Sequence, residues 1–283
     1  MRESSWDDRN VNRLPRAALC PFVERVWAFD ETAEVAHYQR PRREHVIPTG
    51  GMHLVFRLSD DPLRLFDDQQ DRDGRTVGAM VVGGARTRFY IRDVSKPLCS
   101  VGALLRPGAA EILFGVHADE LSGKHTALED LWGSRAGSMR AELAELSSPA
   151  ERLDAFERML ANRLPIVRGL HPAVARALQQ FQATQSVYEV VRQSGCSHRR
   201  FIMLFSRAVG LTPKKYCRVL RFQRVLRRAR AGGVASLIDV AMASGYSDQP
   251  HFNREFREFT GVTPMEYRAA APVAPHHVAV ESR

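Results

Sequence analysis

Hydrophobic positions follow different periods in the two halves of the chain. Up to residue 105, short runs of β-branched and aromatic residues alternate with turn sequences such as Pro48-Thr49-Gly50-Gly51 and Gly83-Gly84. Such a pattern of many short strands is typical of an antiparallel barrel or sandwich. The predicted strands are Phe22–Phe29, His45–Ile47, Met52–Leu58, Leu63–Phe66, Thr76–Val82, Arg88–Ile91 and Leu98–Leu105.

From Pro107 onward the period becomes helical. In the segment Glu151–Leu164, apolar residues at helical spacing form one stripe. This stripe can pack on the chain's own barrel or form the contact of a homodimer, and the pattern leaves both open. The stripe consists of Leu153, Phe156, Met159, Leu160 and Leu164. The predicted helices here are Ala109–Phe114, Ala127–Trp132, Met139–Leu146 and Glu151–Leu164.

One segment occurs twice near the C-terminus, about 50 residues apart, which indicates the same supersecondary unit built twice. The first copy contains Ser194-Gly195-Cys196-Ser197, Phe205 and Gly210-Leu211-Thr212-Pro213. The second contains Ser244-Gly245-Tyr246-Ser247, Phe256 and Gly261-Val262-Thr263-Pro264.

Turn and cap residues predict what each copy forms. A short apolar helix, Val187–Val191 or Leu237–Ala241, precedes a glycine that permits the left-handed end of a helix. Ser197, or the pair Ser247-Asp248, then supplies an N-cap for the next helix. This is the helix-turn-helix pattern, and its repetition argues against a generic helical hairpin.

A helix from Pro213 to Ala231, ending at Gly232-Gly233, is predicted to join the two units. The whole chain is therefore predicted to be α+β. An antiparallel β-rich domain with following helices occupies residues 1–164, an all-α domain residues 165–270, and a disordered tail residues 271–283.

Positive charge is concentrated in the part with the repeat. Of the formal net charge of +9, residues 166–283 hold 18 Lys and Arg against 7 Asp and Glu, whereas residues 1–165 hold 23 against 25. Beside two helix-turn-helix units, such a basic block indicates a phosphate-binding surface on DNA. The simpler interpretation, a solvated helix face, applies to a run such as Arg218 to Arg230 taken alone.

These residues resemble the AraC/XylS transcription regulators over roughly residues 170–270. The likeness is closest from Ile238-Asp239-Val240-Ala241 through Gly245–Phe256 to the closing Gly261-Val262-Thr263-Pro264, Tyr267 and Arg268. The first unit departs from the family pattern at Val191, where Ala is usual, and at Met203, where Arg is usual. The resemblance implies a rigid linker helix and two recognition helices in successive major grooves, about 34 Å apart.

Residues near the start of each recognition helix are the predicted DNA contacts. Arg pairs best with guanine and Asn or Gln with adenine, whereas Ile and Met offer only apolar contact. We expect the second unit to carry at least half of the base readout. The predicted set is His198, Arg199, Arg200, Ile202, Met203 and Arg207 in the first unit, and Gln249, His251, Asn253, Arg254 and Arg257 in the second.

The N-terminal half more loosely resembles the cupin-like sensor domains of that family, which implies an effector without naming it. Arginines at strand positions suggest an anionic effector if they point inward, and several aromatic residues suggest an aromatic pocket; exterior and core positions are the simpler interpretations. His37, His45 and His53 recur every eight residues, yet the His-x-His cluster of metal cupins is missing, so no metal or other cofactor is expected. The arginines are Arg42, Arg43, Arg57, Arg86, Arg88 and Arg92, and the aromatic residues Trp27, Phe29, Phe56, Phe66, Phe89 and Tyr90.

An enzyme and a nucleoid-type DNA-binding protein are the two other classes of function to consider, and both fit the sequence less well. The chain has no signature of a phosphate loop, nucleophile elbow or zinc protease, and Cys20 and Cys99 lack the context of reactive cysteines in DNA-repair alkyl acceptors. Four scattered cysteines and a polar start from Met1 to Asn10 favour a cytoplasmic protein. A nucleoid-type protein without sequence preference is the remaining alternative. The expected partners are double-stranded DNA, a small-molecule effector and, for such a regulator, RNA polymerase and a second copy.

Overall fold

Two antiparallel sheets face each other in the N-terminal half of the computed structural model, which describes residues 10–31, 43–96, 98–164, 169–183, 186–231, 237–272 and 274–280. The first sheet has the strand order β1-β2-β9-β4-β7-β10 and the second β11-β3-β8-β5-β6. The strands are β1 (Asn10–Arg13), β2 (Val23–Asp30), β3 (Arg43–Val46), β4 (Met52–Arg57), β5 (Leu63–Phe66), β6 (Arg75–Gly78), β7 (Met80–Gly83), β8 (Tyr90–Asp93), β9 (Cys99–Leu105), β10 (His125–Ala127) and β11 (His277–Val280).

The α+β prediction is confirmed, and one strand prediction is wrong. The run Thr76–Val82 is two strands, because Gly78 has φ +112° and the chain passes there from the second sheet to the first. Beyond a glycine in the left-handed half of φ space, a straight strand cannot continue. The short strands β1, β10 and β11 were not predicted.

Helices cover the outer face of the first sheet. Phe56 of β4 points into this layer, where its ring lies 5.6 Å from that of Phe156 and 6.4 Å from that of Trp132, centroid to centroid. The helices are α1 (Ala109–Phe114), α2 (Glu129–Trp132), α3 (Arg135–Glu145), α4 (Pro149–Ala161), α5 (Pro172–Gln182), α6 (Val187–Gln193), α7 (His198–Val209), α8 (Pro213–Ala231), α9 (Leu237–Met242), α10 (Gln249–Thr260) and α11 (Pro264–Ala270). None of the described helices is long and apolar enough to cross a lipid bilayer.

The apolar stripe of α4 packs on the chain's own sheets. Leu153, Phe156 and Leu160 are fully buried, and α4 contacts β2, β1 and β9. Of the two interpretations that the sequence left open, packing on the chain's own barrel is confirmed. A homodimer contact through this stripe is wrong, because its side chains Leu153, Phe156 and Leu160 are already buried against the sheets.

The outer face of the second sheet packs on the C-terminal half. There His45 Nδ1 donates to the carbonyl of Thr260 at 2.9 Å, and Gln223 Nε2 of α8 donates to the carbonyl of Pro48 at 2.7 Å. The first helix-turn-helix unit also contacts the N-terminal half, because the backbone N–H groups of Gly108 and Ala118 in that half donate to carbonyls at the end of α7. The two halves are thus joined along much of their length.

The expectation of a disordered tail is wrong for the residues that form β11. This strand pairs antiparallel with β3, the edge of the second sheet, from His277 opposite Val46 to Val280 opposite Arg43. Val278 is buried, and His277 lies 2.6 Å from Glu44. An edge strand offers unpaired backbone groups to any extended segment within reach.

Glu44 lies in an ionic cluster at this edge. Burial raises the pKa of its carboxyl, but hydrogen bonds from His277 and Arg92 and their charges outweigh that effect and lower the pKa to about 2. Because the folded-state pKa is depressed, the stabilisation is present above about pH 4.5 and is lost as the pH falls through the folded pKa.

Candidate nucleic-acid interface

The two repeated units fold as helix-turn-helix units with the same turn chemistry. Gly195 has φ +70° between α6 and α7, and Gly245 has φ +92° between α9 and α10. Ser197 Oγ accepts from the N–H of Arg200 at 3.4 Å. In the second unit Asp248 takes this place, and its Oδ1 accepts from the N–H of His251 at 2.7 Å. Each cap fixes where a recognition helix begins.

Aromatic side chains form the core of each unit. Phe205 lies against Phe181 and Tyr216 with ring centroids 5.6 Å apart in both pairs. In the second unit Phe256 contacts the rings of Phe252 and Phe222, each at 5.4 Å. Since Tyr216 and Phe222 belong to α8, the linker helix packs in both cores. Its bounds, Pro213–Ala231, agree with the prediction, although Gly232-Gly233 lies outside the described residues.

Most of the predicted DNA contacts lie on the exposed faces of α7 and α10. Met203 is 42% exposed, as its register relative to Phe201 and Phe205 requires. Ile202 and His251 are half-buried. The exposed members are His198, Arg199, Arg200, Met203, Arg207, Gln249, Asn253, Arg254 and Arg257.

His251 holds the second turn together. Its Nδ1 lies 3.0 Å from Ser247 Oγ, and its ring packs on that of Tyr246 with centroids 5.3 Å apart. A DNA contact from His251 must therefore use the remaining edge of the ring.

A buried carboxylate that the sequence analysis missed connects α10 to the linker helix. Glu255 is 4% exposed and accepts from Arg218 Nε at 2.8 Å, Arg221 Nη2 at 3.1 Å and the hydroxyl of Tyr246 at 2.7 Å. Burial raises the pKa of Glu255, but the hydrogen bonds of Arg218, Tyr246 and Arg221 outweigh it and lower the pKa. An acidic residue three positions after Phe252 and four before Phe259, and so on the same face of α10 as these two rings, was the available signal.

A basic groove of about 1100 Å³ runs between the two units along α8. Arg218 and Arg221 are tied to Glu255, whereas Arg224 faces further cations. Burial and the like charges of Arg227 and Arg228 lower the pKa of Arg224. Such an accumulation of positive charge favours an anionic partner. The lining includes Lys214, Cys217, Arg218, Arg221, Arg224, Arg228, His251 and Arg254, together with the acids Glu255 and Glu258.

His45 and His53, two of the histidines considered as metal ligands, do not converge. His45 points from the second sheet to Thr260, whereas His53 lies on β4 of the first sheet, opposite Gly83 of β7. His37 lies outside the described residues. Among the residues that the structure describes, no three His, Cys, Asp or Glu side chains are placed to hold a metal ion together.

Comparisons with known proteins agree with this geometry. A family described as a helix-turn-helix domain matches residues 190–270, and a domain of unknown function (DUF6597) matches residues 12–127. The HTH-type transcriptional regulator GbdR of Pseudomonas aeruginosa is 25% identical over 273 residues, covering 88% of this chain and 73% of GbdR. The regulator ArgR of the same species is 28% identical over 113 residues, covering 38% of this chain and 34% of ArgR.

Among solved structures, apo ToxT K231A of Vibrio cholerae has a TM-score of 0.45 at 11% identity, covering 90% of this chain and 98% of ToxT. The helix-turn-helix match spans most of the second half, and the regulator matches extend beyond it. With both units, their caps and the linker helix in place, the C-terminal half of the chain is an AraC-type DNA-binding domain and the protein is a transcriptional regulator.

Proposed function

We propose that both recognition helices read base pairs, the second with Gln249, Asn253 and Arg254 and the first with His198, Arg199 and Met203. Two matching N-caps support this proposal, because they fix the register of the first two turns of α7 and α10, where these side chains are exposed. Arg254 has no hydrogen-bond or ion-pair partner among the described residues and is free to bind guanine bidentately. Arg200, Arg207 and Arg257 then contact phosphates.

Replacing Arg254 by alanine should weaken binding to a selected site by about 1–3 kcal/mol, because one bidentate base contact is lost. The site is first enriched from a random duplex library with the wild-type chain, and affinity is then measured by fluorescence anisotropy on this duplex and on a scrambled one. Arg227→Ala is the matched control, since Arg227 is exposed on α8 and should affect both duplexes alike. Equal losses on both duplexes for Arg254→Ala would show a phosphate contact, as in a nucleoid-type protein.

The N-terminal half supports a second component of the proposal, control by a small-molecule effector. Along β2, β4 and β9, side chains toward the helices are fully buried, whereas their neighbours toward the second sheet keep accessible surface. Alternate residues of a strand face opposite sides, and from this difference in burial we infer a ligand space between the sheets. The half-buried residues facing it include Trp27, Phe29, His53, Val55, Tyr90, Arg92, Leu104 and His125.

Arg86 gives this inter-sheet space a positive charge. Its Nη2 donates to the carbonyl of Lys124 at 3.0 Å and lies 3.4 Å from His125 Nδ1, and its guanidinium lies 4.4 Å from the centre of the Tyr90 ring. No carboxylate pairs with Arg86 among the described residues. Burial, followed by the charge of Arg86, lowers the pKa of His53 to about 3 and that of His125 to about 2, so both are neutral near pH 7.

The effector that fits is a small organic anion with an apolar body. Of the arginines that the sequence suggested for an anionic effector, Arg86 serves this interpretation. Arg92 is paired with Glu44 at 2.8 Å, Arg57 Nε donates to the carbonyl of Asp61 at 3.0 Å, Arg43 packs over Phe66, and Arg42 lies outside the described residues. Of the aromatic residues, Phe56 belongs to the core and Phe89 to the contact with the C-terminal half.

Arg86→Met should weaken binding of anilinonaphthalene sulfonate about tenfold or more, because a charge-assisted contact is lost in a poorly solvated space. The neutral probe N-phenyl-naphthylamine should bind as before. Both are titrated by fluorescence without DNA, with Arg64→Met, an exposed arginine of β5, as the control. Equal affinity of Arg86→Met and wild type for the sulfonate would contradict an anion site at Arg86.

A further inference from the structure

A second groove, of about 760 Å³, lies where a loop of the N-terminal half meets the second recognition helix. Arg88 and Phe89 form one wall, and residues spaced four apart on α10 form the other. We call it the loop–α10 groove. Its lining is Arg88, Phe89, Ile238, Gln249, Asn253, Arg254, Arg257, Glu258, Thr263, Pro264 and Met265.

The loop is held firmly against the end of α10. The ring of Phe89 stacks on that of His45 with centroids 4.4 Å apart, and His45 in turn donates to the carbonyl of Thr260. The chain approaches so closely that a Cβ on Gly261 would lie 2.5 Å from Phe89 Cζ. Pairing of β3 with β11 ties the same edge of the sheet to the C-terminal half. The position of Arg88 relative to α10 is therefore set by packing.

The charges of this groove favour an anion. Arg88, Arg254 and Arg257 are exposed, and none has an ion-pair partner among the residues described. The acid on the wall, Glu258, is bound by Arg218 Nη2 at 2.7 Å. The groove also borders Gln249 and Asn253, two of the proposed base readers. When Gln249 and Asn253 contact bases, the phosphates that flank those bases lie on the side of the protein where this groove opens.

We infer that the N-terminal half contacts operator DNA directly, through Arg88, on a phosphate beside the base pairs that α10 reads. Arg88 thus extends the DNA-binding surface beyond the helix-turn-helix domain. Phe89 is the positioning residue, because it fixes the loop on His45. The inference rests on α10 entering the DNA, and its test must therefore separate a phosphate contact from base readout.

The experiment compares wild type, Arg88→Ala and Arg88→Lys as full-length chains on the duplex enriched with wild type. Affinity is measured over a series of KCl concentrations. Arg88→Ala should bind about threefold to tenfold more weakly at moderate salt and lose about one unit of the slope of log affinity against log salt, because one phosphate contact is lost. Arg88→Lys should keep most of the slope. The preference for the selected over the scrambled duplex should stay unchanged.

Arg64→Ala is the matched control, because Arg64 is an exposed arginine of β5 in the N-terminal half and lies outside the groove. An unchanged affinity and slope for Arg88→Ala would overturn the inference. Tighter binding by Arg88→Ala would also overturn it, since the loop would then shield α10 from DNA. A loss of base preference in Arg254→Ala without any effect of Arg88→Ala would leave the proposed base readout standing and remove only the phosphate contact.

Discussion

Replacing Glu255 by alanine should destabilise the DNA-binding domain by about 3–5 kcal/mol, because three hydrogen bonds to one buried carboxylate are lost, two of them from half-buried arginines and one from a buried hydroxyl. Arg218, Arg221 and Tyr246 all bind this one carboxylate. Since Tyr246 is 5% exposed, water cannot fully replace the lost acceptor. The free energy of unfolding is measured by urea denaturation followed by circular dichroism.

Glu258→Ala is the control for this prediction. Glu258 also binds Arg218, at 2.7 Å, but its side chain is 34% exposed, so the loss should stay below about 1 kcal/mol. A comparable loss in both variants would contradict the special role of burial at Glu255. The pKa of Glu255 is lowered in the folded state, so its contribution is present above about pH 4.5 and lost as the pH falls through the folded pKa. The difference between wild type and Glu255→Ala should shrink accordingly in acid.

Gly261→Ala should loosen the contact between the two halves of the protein. Gly261 has φ +76°, where an alanine costs about 1–2 kcal/mol. The new Cβ would also lie 2.5 Å from His45 Nδ1 and from Phe89 Cζ, and both rings would have to move. We expect the free energy of unfolding to fall by more than the backbone cost alone, and hydrogen exchange in β3 and β8 to become faster.

Gly245→Ala is the control that separates the backbone cost of an alanine at positive φ from the steric collision. Gly245 has φ +92°, and a Cβ there would meet no atom within 4 Å. It therefore carries the backbone cost without the collision. If the two variants show equal stability and equal exchange in β3 and β8, the close approach at Gly261 contributes nothing to the docking of the halves.

Local chemistry explains why the C-terminal half was predictable. Glycines that end helices, serine or aspartate caps, and Pro213 at the start of α8 act within a few residues, so the pattern predicts both units and the bounds of the linker helix. Likewise Leu63–Phe66 and Ala109–Phe114 were predicted with the bounds that the structure has. The face of Met203 followed from the helical register alone.

Contacts between distant segments account for most of what was missed. The strand β10 has three residues and forms only because β7 lies beside it. The network of Glu255 requires α8 and α10 to be packed, and the role of Phe89 requires two domains to meet. In Thr76–Val82, the apolar pattern continues across Gly78 although the chain changes sheets there. The period of apolar residues predicts which side chains are buried, but it does not predict which strand or helix they pack on.

The pairing of β11 with β3 has a consequence for biosynthesis. During translation, β3 leaves the ribosome long before β11, and both helix-turn-helix units are synthesised in between. Until then the edge of the second sheet is open to pairing with other chains. The second sheet of the N-terminal half can therefore be completed only after the DNA-binding domain has been synthesised. Truncated products that stop before β11 should be prone to aggregation.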